Sequence, residues 1–124
     1  MKKLKATKKK TPRQKLIKEN DKLFSLAVRS KGYCERCNKT ENLQCAHIVG
    51  RGSLGLRWKY DNALCLCYAC HIHWAHKEPI AFAKFVCEKK GQEIYAMLRD
   101  FKPEPMKLDR IKLINIFLKS LDIK

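Results

Sequence analysis

Residues 34–76 read CERCNKTENLQCAHIVGRGSLGLRWKYDNALCLCYACHIHWAH, and the fold turns on this stretch. It holds every cysteine of the chain except Cys87, and all of the histidines: His47, His71, His73 and His76. Cys34 with Cys37, and Cys67 with Cys70, form two Cys-x-x-Cys pairs, each able to offer two thiolates to one ion from a tight turn. Together they are expected to make a tetrahedral four-sulfur site. Zinc is its natural occupant, because soft thiolates satisfy it and leave no open coordination position, so the site is structural. Between the pairs, residues 43–49 read as a short strand, 50–55 as a glycine-bearing turn and 56–64 as a returning strand. A helix is then expected from Cys67 through Trp74, giving the order strand, strand, helix.

Outward from this core the chain becomes helical. Over residues 13–30, Leu16, Ile17, Leu23, Phe24, Leu26, Ala27 and Val28 recur at helical spacing among charged residues, and Gly32 follows as a stop. On the other side, Pro79 suits the first position of a helix that runs through Ile80, Phe82, Phe85 and Val86 to Lys90, with Gly91 placed to end it. A second short helix is expected over 92–101. After Pro103 and Pro105, Leu108, Ile111, Ile114, Phe117, Leu118 and Leu121 give a further helical pattern. The expected fold class is α+β: a small ββα-metal hairpin-helix core with a four-cysteine zinc knuckle, flanked by an N-terminal helix and C-terminal helices. One domain is expected over residues 13–124, with its core at 33–77 and its helical scaffold at 13–30 and 79–121. Residues 1–12, rich in lysine and free of acid, read as a basic flexible arm for phosphate contact.

Composition narrows the partners. The chain of 124 residues carries 28 Lys plus Arg against 12 Asp plus Glu, a formal charge of +16 that points to a polyanion. The basic start is not followed by the apolar run of a signal peptide, and nowhere do enough apolar residues run together to cross a membrane. Seven cysteines without an export signal fit reduced thiols and metal binding better than disulfides. The expected compartment is cytoplasmic. Cys45, Cys65 and Cys87 lie in apolar patterns and read as small buried hydrophobes, although Cys45, two residues before His47, could approach a site on the same strand face.

With four cysteines closing the zinc site, the clustered histidines need another explanation. Hydrolysing a phosphodiester requires a base to deprotonate water and an electrophile at the phosphoryl and leaving oxygens, roles that a histidine and a divalent cation fill. At this point the segment resembles the HNH, or ββα-metal, endonuclease family, through Cys34-x-x-Cys37, Ala46-His47-Ile48-Val49, Asp61-Asn62-Ala63-Leu64-Cys65 and Cys67-x-x-Cys70-His71. More narrowly, Gly50-Arg51, Leu56-Arg57-Trp58 and the run from His76 to Pro79 look like phage-encoded recombination nucleases of the lambda NinG kind.

The resemblance implies a metal-dependent DNA endonuclease acting in recombination or processing. His47 would be the general base that activates water, Asn62 would hold the hairpin so that His47 points correctly, and His71 would ligate a catalytic Mg²⁺ or Mn²⁺. Product ends would be 5′-phosphate and 3′-hydroxyl. Many members of the family carry Asp or His directly before the base histidine as a second metal ligand, whereas this chain has Ala46. His76, about one helical turn further on, is the candidate to complete the site. His73 is turned about 200 degrees from His71 around an α-helix. Arg51, Arg57 and Lys59 are expected to contact phosphate. The expected partners are DNA, duplex or branched, and a homodimer is compatible with the sequence; the compartment would be the bacterial host cytoplasm if the gene is carried by a phage. The competing reading is a non-catalytic zinc-ribbon module that binds nucleic acid. A thiol redox protein fits poorly, since no parallel-sheet pattern surrounds the paired cysteines.

Overall fold

A computed structural model describes residues 8–123, so most of the expected basic arm lies outside the described residues. The first helix, α1, spans Pro12–Arg29 and starts one residue before the expected boundary. The reason is a capping box: the Thr11 hydroxyl accepts from the Gln14 main-chain NH at 3.2 Å, and the Gln14 side-chain Oε1 accepts from the Thr11 NH at 3.0 Å. Pro12, lacking an NH, sits where no helical donor is needed.

Strand β1 (Leu43–His47) pairs antiparallel with β2 (Ala63–Cys67) in a two-stranded sheet, with Leu43 opposite Cys67 and His47 opposite Ala63. The chain thus combines helices with a small antiparallel sheet, an α+β architecture. The returning strand is shorter and later than expected. Residues 56–62, expected to be strand, instead form part of a helical turn, α2 (Leu54–Arg57), and a 3₁₀ turn (Tyr60–Asn62). The main-chain NH groups of Leu56 and Arg57 both return to the Ser53 carbonyl, at 3.3 and 3.1 Å, which winds the backbone although Leu54, Leu56 and Trp58 alternate as in a strand. A Cβ at Gly55 would lie 2.7 Å from Cζ of Phe101, so any larger residue here would have to displace that ring.

The segment after β2 is helical as expected but is a π-turn over Ala69–Ala75, in which the His76 NH bonds the His71 carbonyl five residues back at 3.3 Å. Three helices follow at the expected places: α3 (Pro79–Lys90), α4 (Gln92–Asp100) and α5 (Leu108–Ser120). Gly91 joins α3 to α4 at φ +94°, a conformation that glycine adopts without the Cβ clash.

The hairpin lies between two helical layers, which is why all five residues of β2 are buried. On one side Ala46, Leu64, Leu66 and Val86 pack with Cys34, Cys67, Cys70, Trp74, Phe82, Phe85 and Tyr95. On the other, Ala63 and Cys65 meet Phe24 and Val28 of α1, Trp58, and Ile111 and Leu118 of α5. Two asparagines join α1 to α5 inside this second layer. Asn115 donates to the Asn20 side-chain oxygen at 2.8 Å, and Asn20 donates to the Ile111 carbonyl at 3.3 Å, so neither buried amide is stranded. Among the described residues, no helix is long and apolar enough to cross a membrane.

Candidate metal and hydrolytic site

The sulfur atoms of Cys34, Cys37, Cys67 and Cys70 all lie within 4.8 Å of one another. Four thiolates at a zinc-sulfur distance of about 2.3 Å stand roughly 3.8 Å apart in a tetrahedron, and Cys37 Sγ and Cys67 Sγ are 3.6 Å apart. The cluster could therefore hold a zinc ion. The first pair is set by a tight turn in which the Asn38 NH bonds the Cys34 carbonyl at 2.9 Å and Asn38 takes the left-handed conformation, φ +67°. The second pair straddles the end of β2 and the π-turn. Burial raises the Cys34 thiol pKa, but main-chain NH groups of Cys67, Cys37 and Arg36, with the Cys37 side chain, outweigh it and hold the group at about 6. Cys70 is pushed up to about 12 by burial, opposed by the Arg36 side chain and reinforced by the neighbouring thiols.

Two residues with no motif of their own secure the knuckle. Glu35 pairs with Cys65 twice, donating its NH to the Cys65 carbonyl at 2.8 Å and accepting the Cys65 NH on its carboxylate at 2.7 Å, which covers the outer edge of β2. Arg36 lies 3.8 Å above the Trp74 ring and extends to Cys70 Sγ at 3.5 Å, bringing a positive charge to the four-cysteine cluster.

The other edge of the hairpin, that of β1, opens into a cleft of about 630 Å³. Its lining includes Gln44, Cys45, His47, Arg51, His71 and His76. His47, half-buried at the end of β1, has Nε2 2.8 Å from the Arg57 carbonyl. A carbonyl only accepts, so Nε2 carries the proton and Nδ1 keeps a free lone pair. Burial holds the His47 pKa below the usual imidazole value, helped by the charges of Arg51 and Arg57 and opposed by the Arg57 carbonyl and Asp21. The shift favours the neutral ring.

His71 lies across the cleft in the π-turn. Its Nδ1 is 2.7 Å from Oε1 of Gln44, which leaves Nε2 unengaged. Burial, followed by the charges of His76 and His47, lowers its pKa as well. The His71 and His76 rings meet edge to face, 4.8 Å between centroids. In an α-helix residues five apart are about 140 degrees apart; the five-residue hydrogen bond of the π-turn closes one turn between them and stacks the pair. His73 faces elsewhere, against Tyr68 at 5.2 Å between centroids.

Asn62 is fully buried beside the cleft. Its oxygen accepts the Val49 NH at 2.7 Å, and its nitrogen donates to the carbonyls of Val49 at 3.0 Å and Leu56 at 3.1 Å, closing the loop between the strands. Arg57 requires a correction. Its guanidinium, expected on phosphate, forks onto Asp21 of α1, with Nε 2.7 Å from Oδ1, and also donates to the Arg51 carbonyl at 3.1 Å. Trp58 Nε1 donates to the same Asp21 oxygen at 3.0 Å. Every nitrogen of the Arg57 fork is engaged within the protein, whereas Arg51 and Lys59 are exposed. Cys65 is buried and Cys87 half-buried, as expected of small hydrophobes; Cys45 faces the cleft with its thiol pushed up to about 12 by burial.

Gln44, Asp21 and Glu35 carry none of the sequence signals used above. Their parts come from contacts between distant elements, and the only local clue is that Gln44 lies on the strand that bears His47. No family model matches the chain, and no curated protein or solved structure matches it.

Proposed function

We propose that this protein is a metal-dependent endonuclease of the HNH, ββα-metal type that hydrolyses DNA phosphodiesters, with the cysteine cluster as its structural zinc site. The observation that carries the reading is the meeting of His47, His71 and His76 in one cleft, with a ring nitrogen of His47 free and its partner nitrogen locked. His47 Nδ1 takes a proton from the water that attacks phosphorus, while the Arg57 carbonyl keeps the ring oriented and steadies the imidazolium that forms. Asn62 holds the loop that carries this carbonyl. A divalent cation held by His71 and His76 would act as a Lewis acid on the scissile phosphate and the departing 3′ oxygen. The bond to the 3′ oxygen breaks as water adds, and the departing oxygen takes a proton from solvent, leaving a 5′-phosphate and a 3′-hydroxyl.

Charge supports DNA as the substrate. Arg29 and Arg51 line the cleft, and Lys15, Lys18 and Lys22 stand exposed at spacings of three and four along α1, where they share a face. Recombination or processing of duplex or branched DNA in a bacterial host, by a phage-encoded enzyme, fits the narrower likeness. The test is cleavage of supercoiled plasmid, alongside a four-way junction, with Mg²⁺ or Mn²⁺. Cutting that needs the metal and is lost in His47→Ala and His71→Ala, with DNA binding retained, supports the reading. Binding without cutting on both substrates would replace it with a non-catalytic zinc-ribbon module.

A further inference from the structure

We infer that a recess beside the four-cysteine knuckle, lined by Tyr68, Asn38, Thr40 and Asn42, is a stacking site for one unpaired nucleobase of a DNA strand. The site goes beyond the hydrolytic reading and needs neither a catalytic cation nor cleavage. The recess has a volume of about 560 Å³, within the range of about 300–1,000 Å³ that small-molecule sites occupy. Two parts of the chain build it: the loop that leaves the first cysteine pair, and Tyr68 with Ala69, where β2 runs into the π-turn. Main-chain bonds tie them down, from the Tyr68 NH to the Asn42 carbonyl at 3.0 Å and from the Cys34 NH to the Lys39 carbonyl at 2.7 Å. Tyr68 is 47% exposed, yet its ring is held: it meets His73 edge to face, 5.2 Å between centroids and 79° between planes. His73, which has no part in the hydrolytic cleft, thereby orients an aromatic platform. Every base has a π-face, so such a platform takes a base of any sequence.

The rest of the lining fits a base better than a phosphate. Lys39 and Glu41 both line the recess and are opposite in sign, so it is not an anion hole. The exposed amides of Asn38 and Asn42 and the Thr40 hydroxyl both donate and accept, as the edge of a base requires, and a carboxylate such as Glu41 accepts from an exocyclic amino group. Asn38 and Asn42 sit at φ +67° and +53°, where glycine would serve the backbone alone. A base inside a duplex is stacked and offers no free face, so only an unpaired one can enter. Asn42 stands two residues, about 7 Å of extended chain, before Gln44, which lines the hydrolytic cleft with His71. The recess thus adjoins that cleft, and the charge of +16 supplies the attraction for a strand.

The test uses the full chain loaded with zinc, without added Mg²⁺ or Mn²⁺, and follows binding of a fluorescent single-stranded DNA oligonucleotide and of the matching duplex by anisotropy. Tyr68→Ala should weaken single-strand binding by about 5- to 150-fold. Duplex binding, the salt slope, zinc content and circular dichroism should stay those of the parent, since no phosphate contact is removed. Tyr68→Phe, which keeps the ring, should bind the single strand as the parent does, and so should Tyr33→Ala, at another exposed tyrosine. The parent protein gives a second measurement that needs no variant: a 5-iodouracil oligonucleotide irradiated in the complex should crosslink to Tyr68. Single-strand affinity indifferent to Tyr68→Ala, or a crosslink confined to other residues, overturns the inference. An RNA of the same sequence bound more tightly, with the same dependence on Tyr68, overturns DNA as the strand. A plasmid assay on the same samples separates the two readings. Tyr68-dependent binding without cleavage in any ion upholds this inference and sinks the nuclease; cleavage by a protein whose single-strand affinity ignores Tyr68→Ala does the reverse.

Discussion

The Nε2 of His47 and the main-chain carbonyl of Arg57 are 2.8 Å apart, and this one bond decides which nitrogen of the ring is free. His47→Ala should lower cleavage by about 10²- to 10⁴-fold while leaving the melting temperature close to that of the parent. The pH dependence has a definite sign. Burial, with Arg51 and Arg57, holds the folded-state pKa below the unfolded value. Base function should therefore persist below the ordinary imidazole range, and the acid limb of kcat/KM should move toward the usual value when Arg51→Ala removes one positive charge. The same shift contributes stability that is fully present above the unfolded pKa and is lost as pH falls through the folded one. A pH–rate profile paired with thermal melts across that window checks both.

Zinc in the four-cysteine cluster would separate fold from chemistry. Structural zinc in small domains carries about 10–16 kcal/mol of apparent binding free energy near neutral pH, as much as the whole stability of a typical domain, about 5–15 kcal/mol. Cys67→Ser, at a ligand buried in the core beside Leu64 and Leu66, should abolish cooperative unfolding and lower zinc content. Cys37→Ser, at the exposed corner of the cluster, should cost less. Metal analysis and circular dichroism, with and without a strong zinc chelator, provide the measurement, and an unchanged melt after zinc removal would exclude the structural assignment.

How far the sequence could be read follows from where each signal resides. The ends of α3, α4 and α5 were legible because Pro79, Gly91, Pro103 and Pro105 act on the backbone locally. The cysteine pairs were legible for the same reason, since two ligands come from one turn. Residues 56–62 misled, because Leu56 and Trp58 alternate as in a strand while the Ser53 carbonyl winds the backbone into α2 and a 3₁₀ turn follows. The approach of His76 to His71 depends on a π-turn, and α-helical arithmetic separates them. Asp21 and Gln44 were illegible for a different reason: each acts on a residue 27 or more positions away, and only the packed fold shows the pairing.

Asn62 should be stringent in both directions. Its amide accepts one main-chain hydrogen bond and donates two, all with groups of the 49–56 loop and all within 3.1 Å. Asn62→Ala strands those groups and should destabilise the protein by about 1–3 kcal/mol. Asn62→Asp, though isosteric, cannot donate to the Val49 and Leu56 carbonyls and places a charge at a site with no exposure. It should be at least as damaging, and should become less so at acidic pH, where a protonated carboxyl regains a donor. Urea denaturation of the three proteins at two pH values reads this out.

Arg51, Lys59 and Arg57 lie close together in sequence, yet DNA binding should sort them. Arg51 and Lys59 are exposed, so replacing either with Ala should remove one phosphate contact and reduce the slope of log affinity against log salt by about 1, with little effect on stability. Arg57 holds α1 to the loop through Asp21, with the two side chains only 19% and 22% exposed. Arg57→Ala leaves the Asp21 carboxylate with Trp58 alone and should cost about 1–3 kcal/mol, while the salt slope stays that of the parent. Because the same substitution loosens the residue whose carbonyl orients His47, cleavage should fall even where binding holds. Salt-dependent binding, urea melts and plasmid cleavage on the three variants test this division, and a reduced salt slope in Arg57→Ala would return that residue to the DNA surface.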